Sequence, residues 1–77
     1  MTLNEWKEVF GDNLASILKE KKMSQSQLAK RSGVSTGMIS DYINKRSIPG
    51  IMAAINMAYA LDVSIEDFVD FDEPIKD

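Results

Sequence analysis

Residues 24–44 read SQSQLAKRSGVSTGMISDYIN, and the spacing of their caps, apolar positions and turn glycine decides the fold. Ser24 and Gln27 form a capping box, in which each side chain satisfies a backbone N–H that the first helical turn leaves free. A short helix follows through Leu28, Ala29, Lys30 and Arg31. Gly33 stops it, because the sharp turn there favours a left-handed backbone that a Cβ would penalise by about 1 kcal/mol or more. Ser35 caps a second short helix of about residues 36–44. Within it Ile39, Tyr42 and Ile43 fall on the buried side, whereas Thr36, Gly37, Ser40, Asp41 and Asn44 fall towards solvent. Leu28, Ile39 and Tyr42 therefore share one interior. The small Ala29 lets the two helix axes approach where they cross, and Val34 plugs the corner.

The flanking sequence supplies the rest of a helical core. Thr2 and Glu5 form another capping box, after which Leu3, Trp6, Phe10, Leu14, Ile17 and Leu18 recur every three or four residues, predicting a helix that ends near Lys22. Gly11 lies inside this pattern and predicts a bend or a break into two pieces. Pro49-Gly50 starts a fourth helix, with Ile51, Ile55, Ala58 and Leu61 as its buried repeat and Asp62 at its end. Ser64 caps a fifth, with Asp67 at its third position and Val63 placed to staple against Phe68. From Asp70 onward the acidic residues and Pro74 predict a frayed tail. No stretch alternates long enough for a strand. The expectation is all-α: one compact five-helix domain over residues 1–77, its motif at about 24–44.

Composition narrows the function. The chain has 77 residues, 44% of them hydrophobic and 27% charged, values that suit a single folded domain. It contains neither Cys nor His, which removes thiol nucleophiles, zinc sites of nitrogen and sulfur, and His general bases. No phosphate-cradling glycine loop follows a strand, and the carboxylates Asp62, Glu66, Asp67, Asp70, Asp72 and Glu73 line up along one exposed helix and its tail instead of converging in a cleft. The expectation is a protein that is not an enzyme and has no cofactor or metal. No apolar run is long enough for a membrane span, and the N-terminus lacks a secretion-signal pattern, so a cytoplasmic location is expected.

The net charge is −3, yet it is polarised. Residues 1–18 set Lys7 against Glu5, Glu8 and Asp12; residues 19–47 set seven bases against Glu20 and Asp41; residues 48–77 set Lys76 against seven acids. A basic middle can present one positive face to a phosphate backbone while the whole chain stays acidic.

These features together resemble the lambda-repressor and Cro-like helix-turn-helix family. The resemblance covers about residues 10–69 and is carried by FGDNLASILKEKKMSQSQLAKRSGVSTGMISDYINKRSIP and then IMAAINMAYALDVSIEDFV. It implies double-stranded DNA as partner, with the Ser35-capped helix entering the major groove and the Ser24-capped helix lying across the backbone. Position by position, the resemblance makes Gln25, at the start of the first motif helix, a phosphate ligand. It makes Asn44 a phosphate contact just after the recognition helix, extended by Lys45 and Arg46, with Lys22, Lys30 and Arg31 as weaker contributors and Lys21 beside them. Thr36, Gly37, Met38, Ser40 and Asp41 are the implied base-facing positions. The function implied is a small transcription regulator that works as a homodimer, a repressor if it blocks polymerase, with activation equally compatible with the sequence. Met52, Tyr59, Phe68 and Phe71 are the interface candidates, serving to align two recognition helices about 34 Å apart.

The base-facing set is unusual for a reader of sequence. Gly37 contributes no hydrogen bond, and Asp41 can accept only from a cytosine amino group. No Arg or Lys stands on the outward face before Lys45, which leaves methyl contacts from Thr36, close backbone approach at Gly37, or DNA shape as the means of selection. A competing function is a helical adaptor that binds protein on the same scaffold. The acidic segment after Asp62 and the apolar residues proposed for the interface favour it.

Overall fold

Four α-helices and one 3-10 turn make up the described part of the chain, residues 2–69 of a computed structural model. They are α1 (Leu3–Lys21), α2 (Gln25–Ser32), α3 (Thr36–Ile43), α4 (Ile51–Leu61) and the turn Ile65–Phe68. Among the described residues there is no strand. The capping boxes at Thr2, Ser24 and Ser64 all form, and the Ser35 hydroxyl accepts from the Met38 N–H.

The expected fifth helix is a single tight turn. Asp67 N–H reaches Ser64 O and Val69 N–H reaches Glu66 O, both i to i−3 bonds. Four residues suffice to drive Phe68 into the core, where it is 0% exposed. Its carbonyl then accepts from Asn13 Nδ2 at 2.9 Å, which anchors the turn to α1. The tail from Asp70, Phe71 included, lies outside the described residues.

Helices α1, α3 and α4 share one way of ending. Lys22, Lys45 and Asp62 take left-handed backbones, φ 55°, 65° and 56°, and the next N–H in each case reaches back to a carbonyl five residues earlier. This is the Schellman arrangement, here built without glycine at a cost of about 1 kcal/mol per site. Gly33 closes α2 at φ 77°, with its N–H on Ala29 O at 2.9 Å.

The core gathers Phe10, Leu14, Ile17 and Leu18 of α1, Leu28 of α2, Ile39 and Tyr42 of α3, Met57, Ala58 and Leu61 of α4, Val34 and Phe68. Phe10 links two of its rings, edge-on to Tyr42 with ring centroids 6.1 Å apart and tilted against Phe68 at 5.0 Å. Ser32, buried beneath the turn, accepts from the Val34 N–H at 3.1 Å and fixes the corner between α2 and α3.

Two expectations fail on packing. Gly11 does not break α1, which runs on as one helix through it. A Cβ built there would lie 2.7 Å from Tyr42 O and 3.1 Å from Ile43 O, so its hydrogen admits the end of α3 against α1. The buried face of α4 is also turned. Ala54, Met57, Ala58 and Leu61 point inward, while Ile51 and Ile55 are exposed beside Met52 and Tyr59. Every residue of α4 except Asn56 is apolar, so periodicity carries no orientation, and the small Ala54 and Ala58 win the inner face because they let α4 close on its neighbours. Leu3 of α1 is likewise exposed.

The two helical glycines should respond oppositely to alanine. Gly11→Ala forces backbone oxygens apart and is expected to destabilise by roughly 1–3 kcal/mol. A Cβ on Gly37 meets only Ser35 Oγ, at 4.0 Å, so Gly37→Ala should stabilise α3 by up to about 1 kcal/mol. Urea unfolding of the two variants checks both signs.

Candidate nucleic-acid interface

The candidate interface centres on α3, which is only eight residues long and wedged against α1 and α2. Ile39 and Tyr42 fix its inner side. Burial, and then the neighbouring Asp41 carboxylate, push the Tyr42 hydroxyl pKa up, so it stays neutral at physiological pH. The opposite flank stays open: Thr36, Gly37 and Met38 are exposed, and Ser40 and Asp41 are half-exposed. All five positions expected to face bases therefore lie on an open surface.

The end of α3 is more tightly organised than its sequence suggests. The Asn44 side-chain amide folds back, donating to Ser40 O at 2.9 Å and to Ser40 Oγ at 3.2 Å. The Schellman bond from Arg46 N–H to Asp41 O, 2.9 Å, sets the backbone of the following turn. Arg46 Nη1 then meets Asp41 Oδ1 at 3.4 Å, both groups largely in solvent. Lys45 turns the other way, its Nζ 2.8 Å from Asp12 Oδ1 on α1. That hydrogen bond raises the Lys45 pKa most, desolvation opposes it, and the charges of Asp12 and Glu8 add to the rise.

The remaining predicted phosphate ligands are exposed and spread over two helices. Gln25 opens α2 at its N-terminal end, where free N–H groups and the helix dipole favour an anion. Lys30 and Arg31 occupy the last turn of α2, and Lys22 sits at the left-handed end of α1 with Lys21 before it. Among the described residues Lys45 and Arg46 form ion pairs, whereas Lys21, Lys22, Lys30 and Arg31 form none.

The interface candidates divide. Met52 and Tyr59 are 64% and 88% exposed, and with Ile51 and Ile55 they form an apolar strip on the outer side of α4. Phe68 is withdrawn from that role because its ring is sealed in the core. Sequence reasoning overlooked Ile51 and Ile55 in the strip, having assigned both to the core. It also overlooked the tie between Asp12 and Lys45, since no local pattern joins residues 33 positions apart. A separate open groove, lined by polar residues including Asn13, Glu20, Asp62 and Asp67, takes nothing from α2 or α3.

Residues 14–68 match the HTH_3 helix-turn-helix family. The fold is similar to the crystal structure of an HTH_3 family transcriptional regulator from Vibrio cholerae, at 25% identity and a TM-score of 0.83. That likeness covers 87% of this chain and 38% of the Vibrio chain. A second similar structure is the restriction-modification controller protein C.AhdI from Aeromonas hydrophila, at 22% identity and a TM-score of 0.77, covering 80% of this chain and 94% of that one. At that identity the likeness is one of fold. No curated protein matches the chain. The family match begins at the α1 core residue Leu14, ends on the buried Phe68 and takes in the whole of α2, α3 and α4: the chain belongs to the HTH_3 helix-turn-helix family.

Proposed function

We propose that this protein is a DNA-binding transcription regulator of the cytoplasm that lays the open flank of α3 in the major groove of double-stranded DNA. The observation that carries this is the uncovered flank of Thr36, Gly37, Met38, Ser40 and Asp41 on a helix otherwise packed into the core. Family membership and the regulator from Vibrio cholerae support it. Gln25 and Arg46, with Lys22, Lys30 and Arg31, hold phosphates and fix the register, and Asn44 joins them by releasing its amide from Ser40. The pair of Arg46 with Asp41 is long and solvent-exposed, so a phosphate can replace the carboxylate at little cost.

Selectivity then rests on the Thr36 methyl, the bare backbone at Gly37 and the Asp41 carboxylate, which favours a cytosine amino group and repels phosphate. Repression, the regulatory sign proposed, would act by the seated domain blocking polymerase from the same DNA. The outer strip of α4 is proposed as a homodimer surface. Met52 and Tyr59 are common to this and to the adaptor function, for which the same uncovered apolar strip is the specific observation.

Selection of bound sites from random duplexes at two salt concentrations tests the proposal. A two-fold consensus is expected, and an absence of enrichment would contradict it in favour of the adaptor. Arg46→Ala should weaken binding to all duplexes alike and reduce the salt slope by about one. Gly37→Ala should lower affinity for the selected site while raising stability, a combination that simple damage to the fold does not produce. Replacing Tyr59 with Glu should leave helical content unchanged and shift sedimentation from two chains to one. A dimer that survives the change would remove α4 from the interface.

A further inference from the structure

The positive charge nearest the end of α3 is spoken for. Lys45 follows the recognition helix by two residues and is the natural phosphate ligand by position, yet its left-handed backbone directs its side chain back across α1. The stem lies over Gly11, whose built Cβ would be 3.1 Å from Lys45 Cγ, and the ammonium ends 2.8 Å from Asp12 Oδ1. Glu8, one turn earlier on α1, adds a second negative charge acting on the same ammonium. Asp12 is itself an exposed residue of α1, outside the α3 flank.

We infer that Asp12 is an internal counter-ion that withholds Lys45 from DNA phosphate, so a residue off the groove-facing surface sets how tightly the protein holds any duplex. Two observations favour withholding over incidental contact. The N–O distance is that of a strong charge-assisted hydrogen bond, in contrast with the 3.4 Å between Arg46 and Asp41. The Lys45 ammonium is also reached by a stem held against the helix, which removes part of the entropy cost that weakens ordinary surface pairs. Lys45 thus fastens the end of α3 to α1, and Arg46 is left as the cation of that turn that faces the duplex. The effect is on affinity, uniform over sequences, because neither partner reaches a base edge.

This inference rests on the DNA-binding function proposed above, and binding of the full chain to a labelled random-sequence duplex at low salt separates the two. Wild type, Asp12→Asn, Asp62→Asn and the double variant Asp12→Asn with Lys45→Gln are compared by fluorescence anisotropy. Asp62→Asn removes the same charge far along the chain, at a left-handed position that Asn tolerates. Asp12→Asn should bind about two- to fivefold tighter, the range of an exposed pair, and clearly tighter than Asp62→Asn. The double variant has the wild-type net charge and should bind as wild type does. Equal gains from Asp12→Asn and Asp62→Asn would overturn the inference, as would a double variant several-fold weaker than wild type, which would make Lys45 a phosphate ligand already. If wild type binds no duplex under these conditions, the DNA-binding function itself is overturned.

Discussion

One close approach governs the geometry of this protein: the carbonyls that end α3 rest on α1 at Gly11, where a hydrogen is all that fits. Because α3 is eight residues long, it has too few turns to hold a fixed orientation by itself. The Gly11 contact fixes one end, and the Ser32 and Gly33 corner fixes the other. Between them Ile39 and Tyr42 enter the core, and Phe10 of α1 meets the Tyr42 ring edge-on. With three sides of constraint, the fourth side of α3 is left open in a set orientation, which is what a rigid presentation of groove-facing residues needs.

Electrostatics at the end of α3 follow from the same geometry. The Schellman closure at Lys45 sends Lys45 and Arg46 to opposite sides, one towards Asp12 and one towards Asp41. The basic excess of residues 19–47 is therefore not all available to a polyanion. An acidic protein that binds DNA in this manner relies on a small number of phosphate contacts placed by shape, with correspondingly modest salt dependence.

Much of this architecture was legible in the sequence, for identifiable reasons. Caps are local, so Thr2, Ser24, Ser35 and Ser64 each announced the start of an element within a residue. The alternation of buried Leu28, Ile39 and Tyr42 with polar positions was equally plain, because the α3 flank contains residues that do not belong in a core. Where periodicity had no contrast it misled: α4 is apolar on all sides, and its inner face is chosen by the fit of alanines against its neighbours. Gly11 was read as a weakness of α1 because a sequence window shows the cost of glycine but not the distant carbonyl that requires it. Phe68 illustrates a third limit, since an aromatic near a chain end suits a surface as well as a core until Asn13 is seen holding its carbonyl. The left-handed closures at Lys22, Lys45 and Asp62 had no glycine to signal them.

The most direct test is an amide NMR titration of the full chain with a duplex that it enriches. Resonances of Thr36 to Asp41 and of Asn44 to Arg46 should shift most, with Gln25 and its neighbours following, while the outer residues of α4 stay near their free positions. Shifts concentrated on Ile51, Met52, Ile55 and Tyr59, with α3 unmoved, would contradict α3 as the surface that meets DNA.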